Sequence, residues 1–103
     1  FAPLQDGVAA AWVTQFRLSF SGWQPNLPES KTPRNHPRLA RNTAGETLLA
    51  WTEGSGWGKG GQLVAQRFDA NGAAVGRELR EKLPAWHHGA CLTLQDGRLL
   101  LVY

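Results

Sequence analysis

An all-β fold of short antiparallel strands is what this sequence predicts, on three observations. A segment recurs: His36 to Trp51 overlays without gaps on His88 to Tyr103, an offset of 52 residues, and each copy runs from an apolar strand through a Gly-containing turn to a second apolar strand ending in an aromatic residue. The N-terminus carries a partial third copy, because Leu4-Gln-Asp-Gly7 recurs as Leu94-Gln-Asp-Gly97 and leads into an apolar run that ends at Trp12. Finally, Asn71-Gly72 is a hairpin signal, since both residue types accept the positive φ of a tight primed turn. A period of about 40 to 50 residues built from short strands is the sequence pattern of β-propeller blades, and the chain is expected to hold about two of them, each a four-stranded antiparallel sheet.

Residues 8–13 are apolar at nearly every position, as are 47–51 and 99–103. Continuous runs suit inner strands covered on both faces. The alanines of 8–13 would also suit a helix, but the preceding Gln-Asp-Gly turn and the matching copies favour a strand. Residues 24–35 contain Pro25, Pro28 and Pro33, with Pro37 just beyond, a density that excludes a sheet interior and implies an extended crossing between blades. The central blade is read as strands at 37–41, 46–52, 62–69 and 73–77. A turn at 42–45, a Gly-rich loop at 53–61 and a hairpin turn at 70–72 join them. Residues 79–86 lead back to the next blade. The chain thus divides into a partial blade with its Pro-rich connection at 1–35, a complete blade at 36–80, and the first two strands of the next at 81–103.

A propeller closes with about four to eight blades and otherwise leaves sheet edges open. The expectation is therefore a fragment of a larger propeller, or one subunit of a ring, whose partners are the missing blades or neighbouring chains. The absence of Met among the 103 residues agrees with a fragment. With 42% apolar and 18% charged residues the composition is that of a folded protein and not of a disordered tail. The net charge of +3 comes from 11 Lys and Arg scattered among 8 acids, a solvated surface with no nucleic-acid-binding stripe. No apolar run approaches the length of a membrane span. Cys91 alternates with apolar neighbours on a predicted strand, has no second cysteine to pair with, and reads as a core residue.

Trp51-Thr-Glu-Gly-Ser-Gly-Trp57, the Gly60-Gly61 pair and Ala65-Gln-Arg-Phe-Asp-Ala-Asn-Gly72 together resemble two bacterial repeat patterns. One belongs to sialidase-like β-propeller proteins, the other to large exported proteins with Ala-Gln-Arg-Phe-Asp-x-x-Gly repeats. The likeness covers about 40 residues from His36. It implies a propeller and an extracytoplasmic setting, periplasmic or secreted. The Ser-x-Asp-x-Gly-x-x-Trp box that sialidases carry in the turn between their third and fourth strands is absent, and that turn here is Phe68-Asp-Ala-Asn-Gly72.

Because successive strands reverse direction, Arg34, His36, Glu53, Trp57, Lys59, Trp86, His87 and His88 are expected on one rim of the blades. These are the candidate binding residues. Glu53 either caps its loop or hydrogen-bonds a sugar hydroxyl, and Trp57 and Trp86 either pack on the next blade or present their rings, whereas Trp12 and Trp51 are read as blade packing. Asp69 falls at the opposite rim, so it and Glu53 cannot form the carboxyl pair of a retaining glycosidase. No catalytic residue is assigned. Asp69-Ala-Asn-Gly72 lacks the oxygen ligands of a calcium loop, adjacent His87 and His88 would point to opposite faces of a strand, and no metal site is assigned. The loop at 54–61 lacks the Gly-Lys-Ser/Thr ending of a phosphate loop, and no cofactor is expected. The reading is a non-catalytic binding or scaffold module that engages a partner protein or glycan. Its alternatives are part of a sialidase-like glycoside hydrolase and a small subunit of a multi-chain assembly.

Overall fold

The computed structural model describes residues 2–4, 7–85 and 89–103, and among these there are nine β-strands and no helix. β1 (Ala2–Leu4), β2 (Gly7–Thr14) and β3 (Arg17–Ser21) form a three-stranded sheet. β4 (Arg34–Arg41), β5 (Thr47–Glu53), β6 (Gln62–Phe68) and β7 (Ala74–Lys82) form the central sheet in the order β4-β5-β6-β7. β8 (Ala90–Thr93) and β9 (Leu99–Val102) pair as the third sheet, and every pairing in the three sheets is antiparallel.

The central sheet is covered on both faces, which is why β5 tolerates an unbroken apolar run. All seven of its residues are buried. Leu39, Leu49, Trp51, Val64 and Phe68 meet Ala9, Ala11, Leu18, Phe20 and Trp23 on one side. Leu48, Ala50, Leu63 and Ala65 meet Cys91, Leu99 and Leu101 on the other. Trp23 packs edge-on to both Phe20 and Phe68, with ring centroids 6.0 and 5.5 Å away. Side-chain-to-backbone bonds also tie the third sheet to β4 and the turn that follows it: Thr93 Oγ1 donates to the Arg41 carbonyl at 2.9 Å, and Asn42 Nδ2 donates to the Gly97 carbonyl at 2.9 Å.

A hairpin forms at Asn71-Gly72 as expected from sequence, but not through a primed turn, because Gly72 alone of the two takes positive φ. Asp69 Oδ1 accepts from the backbone N–H groups of Asn71 and Ala73, and Gly72 has φ 85°. A Cβ on Gly72 would lie 2.2 Å from the Gln24 carbonyl oxygen. The Pro-rich connection is therefore pressed against this hairpin, and Asn26 N–H donates to the Gly72 carbonyl at 2.7 Å.

Several strand readings need correction. β3 was unanticipated, because the turn before it, Gln15-Phe16, has no Gly or Asn although both residues adopt positive φ (49° and 62°). β4 begins at Arg34 and not at Pro37; a register shift between Asn35 and Arg38 absorbs His36 (φ 51°) and the proline, as β-bulges do. β7 continues to Lys82, where sequence suggested a strand ending at Arg77. Nor are the runs at 8–13 and 99–103 buried on both faces. Trp12, read as packing, is 44% exposed, and Leu100 and Val102 lie open on the outer side of the third sheet.

Candidate functional site

Strand register assembles one rim of the central sheet. Arg34 on β4 pairs with Glu53 on β5, Glu53 with Gln62 on β6, and Gln62 with Lys82 on β7, so four strand ends stand in a row. The Gly-rich loop 54–61 projects from the middle of that row. Asp69 lies beyond the other end of β6, where Phe68 pairs with Thr47, about 20 Å of strand away from Glu53.

Glu53 is the electrostatic centre of the rim. Its side chain is only 7% exposed, yet it does not cap its loop. Oε1 accepts from Trp51 Nε1 at 3.0 Å and from Arg34 Nε at 3.3 Å, and Oε2 accepts from Arg80 Nη1 at 2.9 Å. Trp51 and Glu53 are two residues apart on a strand and share a face, which brings the indole N–H to the carboxylate. The Arg34 guanidinium lies 5.3 Å from the Trp51 ring centroid, a cation–π stack over the same indole. Burial pushes the Glu53 carboxyl pKa up, but the hydrogen bonds from Arg80, Trp51 and Arg34 and the charge of Arg80 outweigh it, and the net shift is downward. Glu53 is thus a fixed anion at neutral pH, suited to holding cations and not to donating a proton.

His36 sits beside this network. Thr52 Oγ1 donates its one proton to the Asn35 carbonyl at 3.1 Å. The same oxygen is in hydrogen-bond contact with His36 Nδ1 and with Ser55 Oγ, each 2.9 Å away.

At the loop tip, Gly56 and Lys59 exchange backbone bonds of 3.1 and 2.9 Å, which closes a turn with Trp57 and Gly58 at its corners. Gly58 supplies the positive φ (68°), and the Trp57 side chain is thrust outward, 90% exposed. The neck of the loop is held by Gly54 N–H to the Pro33 carbonyl and by Leu83 N–H to the Gly61 carbonyl. Beside it runs an open groove of about 590 Å³ lined by Lys59, Gln62, Lys82, Pro84 and loop glycines. On the other flank, a cleft of about 240 Å³ is lined by Phe16, Leu18, Phe20 and Leu27 together with Arg17, Glu29 and Arg34.

Five of the expected rim residues, Arg34, His36, Glu53, Trp57 and Lys59, belong to this end of the sheet. Trp86, His87 and His88 lie outside the described residues. Sequence reasoning missed Arg80 and Phe16. Arg80 falls in the stretch that sequence assigns to a connection, because the charged run Arg80-Glu-Lys82 carries no strand periodicity; Phe16 has no signal, as its turn is built from atypical residues. Among the described residues, no three His, Cys, Asp or Glu side chains are grouped as metal ligands, and no helix is long and apolar enough to cross a membrane.

Compared with protein-family models, with curated proteins and with solved structures, the chain matches none.

Proposed function

We propose that this chain is a non-catalytic part of an exported β-propeller, and that it engages a partner protein or glycan through the rim of its central sheet. The blade reading draws support from the sequence repeat and from three antiparallel sheets stacked face to face. The export reading rests on the resemblance to sialidase-like and Ala-Gln-Arg-Phe-Asp-x-x-Gly repeat proteins. The observation that carries the binding reading is Trp57: a 90% exposed ring at the tip of a loop whose turn and neck are both hydrogen-bonded. A large aromatic face beside polar groups and a groove suits sugar rings and peptide side chains alike. Catalysis is disfavoured because Glu53 is engaged by three donors and Asp69 is bound within its own turn, far from the roughly 5 Å carboxyl spacing of a retaining glycosidase.

The test is a titration of the chain with soluble oligosaccharides and extended peptides, read by the chemical shift of the Trp57 indole N–H. A saturable shift, weakened about tenfold or more in Trp57→Ala with unchanged thermal unfolding, is the expected result. Absence of a saturable shift with every probe, or equal affinity in the variant, would overturn the reading.

A further inference from the structure

The cleft on the flank of the rim joins an aromatic wall to a guanidinium with donors to spare. Phe16, Leu18 and Phe20 line it from β3 and the turn before it, Leu27 lines it from the Pro-rich connection, and Arg34 lines it from the start of β4. Phe16 and Arg34 are tied directly, because Arg34 N–H donates to the Phe16 carbonyl at 2.9 Å. The wall from the connection is anchored at two points, where Asn26 N–H donates to the Gly72 carbonyl and Gly54 N–H donates to the Pro33 carbonyl. The cleft is thus formed ahead of any ligand, as small-molecule sites usually are.

Arg34 is held but not used up. Its Nε is bound to Glu53, its guanidinium carbon lies 5.3 Å from the Trp51 ring centroid, and its side chain is 12% exposed. Among the described residues, Nη1 and Nη2 have no hydrogen-bond partner, and neither is fully buried, so both are open to an incoming acceptor. Glu53 divides its charge between Arg34 and Arg80. Glu29, the acid that lines the cleft, forms no ion pair with Arg17 or Arg34 among the described residues.

The backbone at Phe16 points the same way. A bulky residue at φ 62° is held against its preference, and strain of that kind gathers at ligand clamps. What the strained turn achieves is to set a 62% exposed aromatic ring on the cleft.

We propose that this cleft binds a small aromatic carboxylate, its ring among Phe16, Phe20 and Leu27 and its carboxylate on the free edge of the Arg34 guanidinium. The planar carboxylate matches the guanidinium fork, and aromatic side chains receive the ring by edge or face. The volume of about 240 Å³ falls below the roughly 300–1,000 Å³ of sites for drug-sized ligands, so one ring and its acid group fill it. The site is separate from Trp57 and stands whether or not the rim engages a partner.

Phenylacetate is the probe, titrated into the isotope-labelled chain at neutral pH with phenylacetamide and acetate as controls. Phenylacetate is expected to give saturable shifts at the Phe16 amide and the Arg34 Nε–H while the Trp57 indole N–H stays in place. Phenylacetamide keeps the ring and loses the charge, and should bind about tenfold or more weakly; acetate lacks the ring and should not saturate. Phe16→Ala should weaken phenylacetate about tenfold or more with thermal unfolding like the parent's, since the ring is exposed. Arg34→Lys keeps the charge but loses the fork, and should narrow the preference for acid over amide. If Arg34→Lys does not fold, Phe16→Ala and the acid-to-amide ratio decide. No saturable shift with phenylacetate, equal affinity for acid and amide, full affinity in Phe16→Ala, or an acid preference lost in Arg17→Ala but kept in Arg34→Lys overturns the proposal.

Discussion

Thr93 Oγ1 hydrogen-bonds the Arg41 carbonyl across 52 residues, the same interval at which the sequence repeats. Equivalent positions of two copies touch, so β8 lies over β4 in the register that the repeat dictates. Thr93→Val removes the donor from an exposed site and keeps the side-chain shape. It is expected to lower stability by about 0.5–1 kcal/mol in denaturant titration. No change would mean that packing of Leu99 and Leu101 alone sets this register.

Glu53 links acid stability to the rim. Its carboxyl pKa is lowered on folding, so its contribution is fully present above the ordinary value of 4.5 and is lost as pH falls through the lower folded value. Glu53→Gln should melt at a lower temperature than the parent at neutral pH, and the gap should narrow in acid. Glu53→Ala, which strands the Arg34 guanidinium and the buried Trp51 N–H, should cost about 3 kcal/mol. The Arg34 arm, 12% exposed, should contribute more than the Arg80 arm, which at 42% is screened by water. Thermal melts of Arg34→Ala and Arg80→Ala decide the order.

Cys91 should be chemically quiet. Burial pushes its thiol up to about 12 against the opposing effects of a backbone hydrogen bond at Ala50 and the charge of Arg38, and Sγ points to the Arg38 carbonyl at 3.6 Å. Alkylation by iodoacetamide near pH 8 should run on the order of a thousandfold slower than for a free thiol and accelerate on unfolding. Reaction at the rate of a small thiol in the folded chain would show that the third sheet opens readily.

The Gln15-Phe16 turn is improvable. A two-residue hairpin loop with positive φ at both corners is what Asn-Gly adopts without strain, whereas Gln and Phe are disfavoured there. The double substitution Gln15→Asn, Phe16→Gly should raise stability by about 1 kcal/mol in chemical denaturation. Phe16 is 62% exposed and also lines the smaller cleft, so a ligand of that cleft would bind the double variant less well.

Much of the central sheet was legible because its cues are local. Asn71-Gly72 marks its hairpin, Gly45 and Gly97 mark equivalent turns, and the run 47–51 marks a strand buried on both sides. The limits of that reading are equally specific. Apolar runs at 8–13 and 99–103 resemble the central one in composition, but burial depends on what stacks against them, which a run cannot disclose. Glu53 and Arg34 were placed on one rim from strand reversal alone. Arg80 joins them only through the register of β6 and β7, since Arg80 pairs with Val64, two residues into the strand.

The construction of the loop between β5 and β6 separates its tip from the scaffold. Cβ atoms built on Gly56 and Gly58 would meet nothing within 4 Å, whereas one on Gly60 would lie 2.1 Å from the Pro84 carbonyl oxygen. The close fit is thus confined to the base, and the tip glycines, Gly56 and Gly58, are not packed against the sheet. Such a segment can be lengthened, shortened or exchanged at little cost to folding. That makes it the natural graft position on this framework.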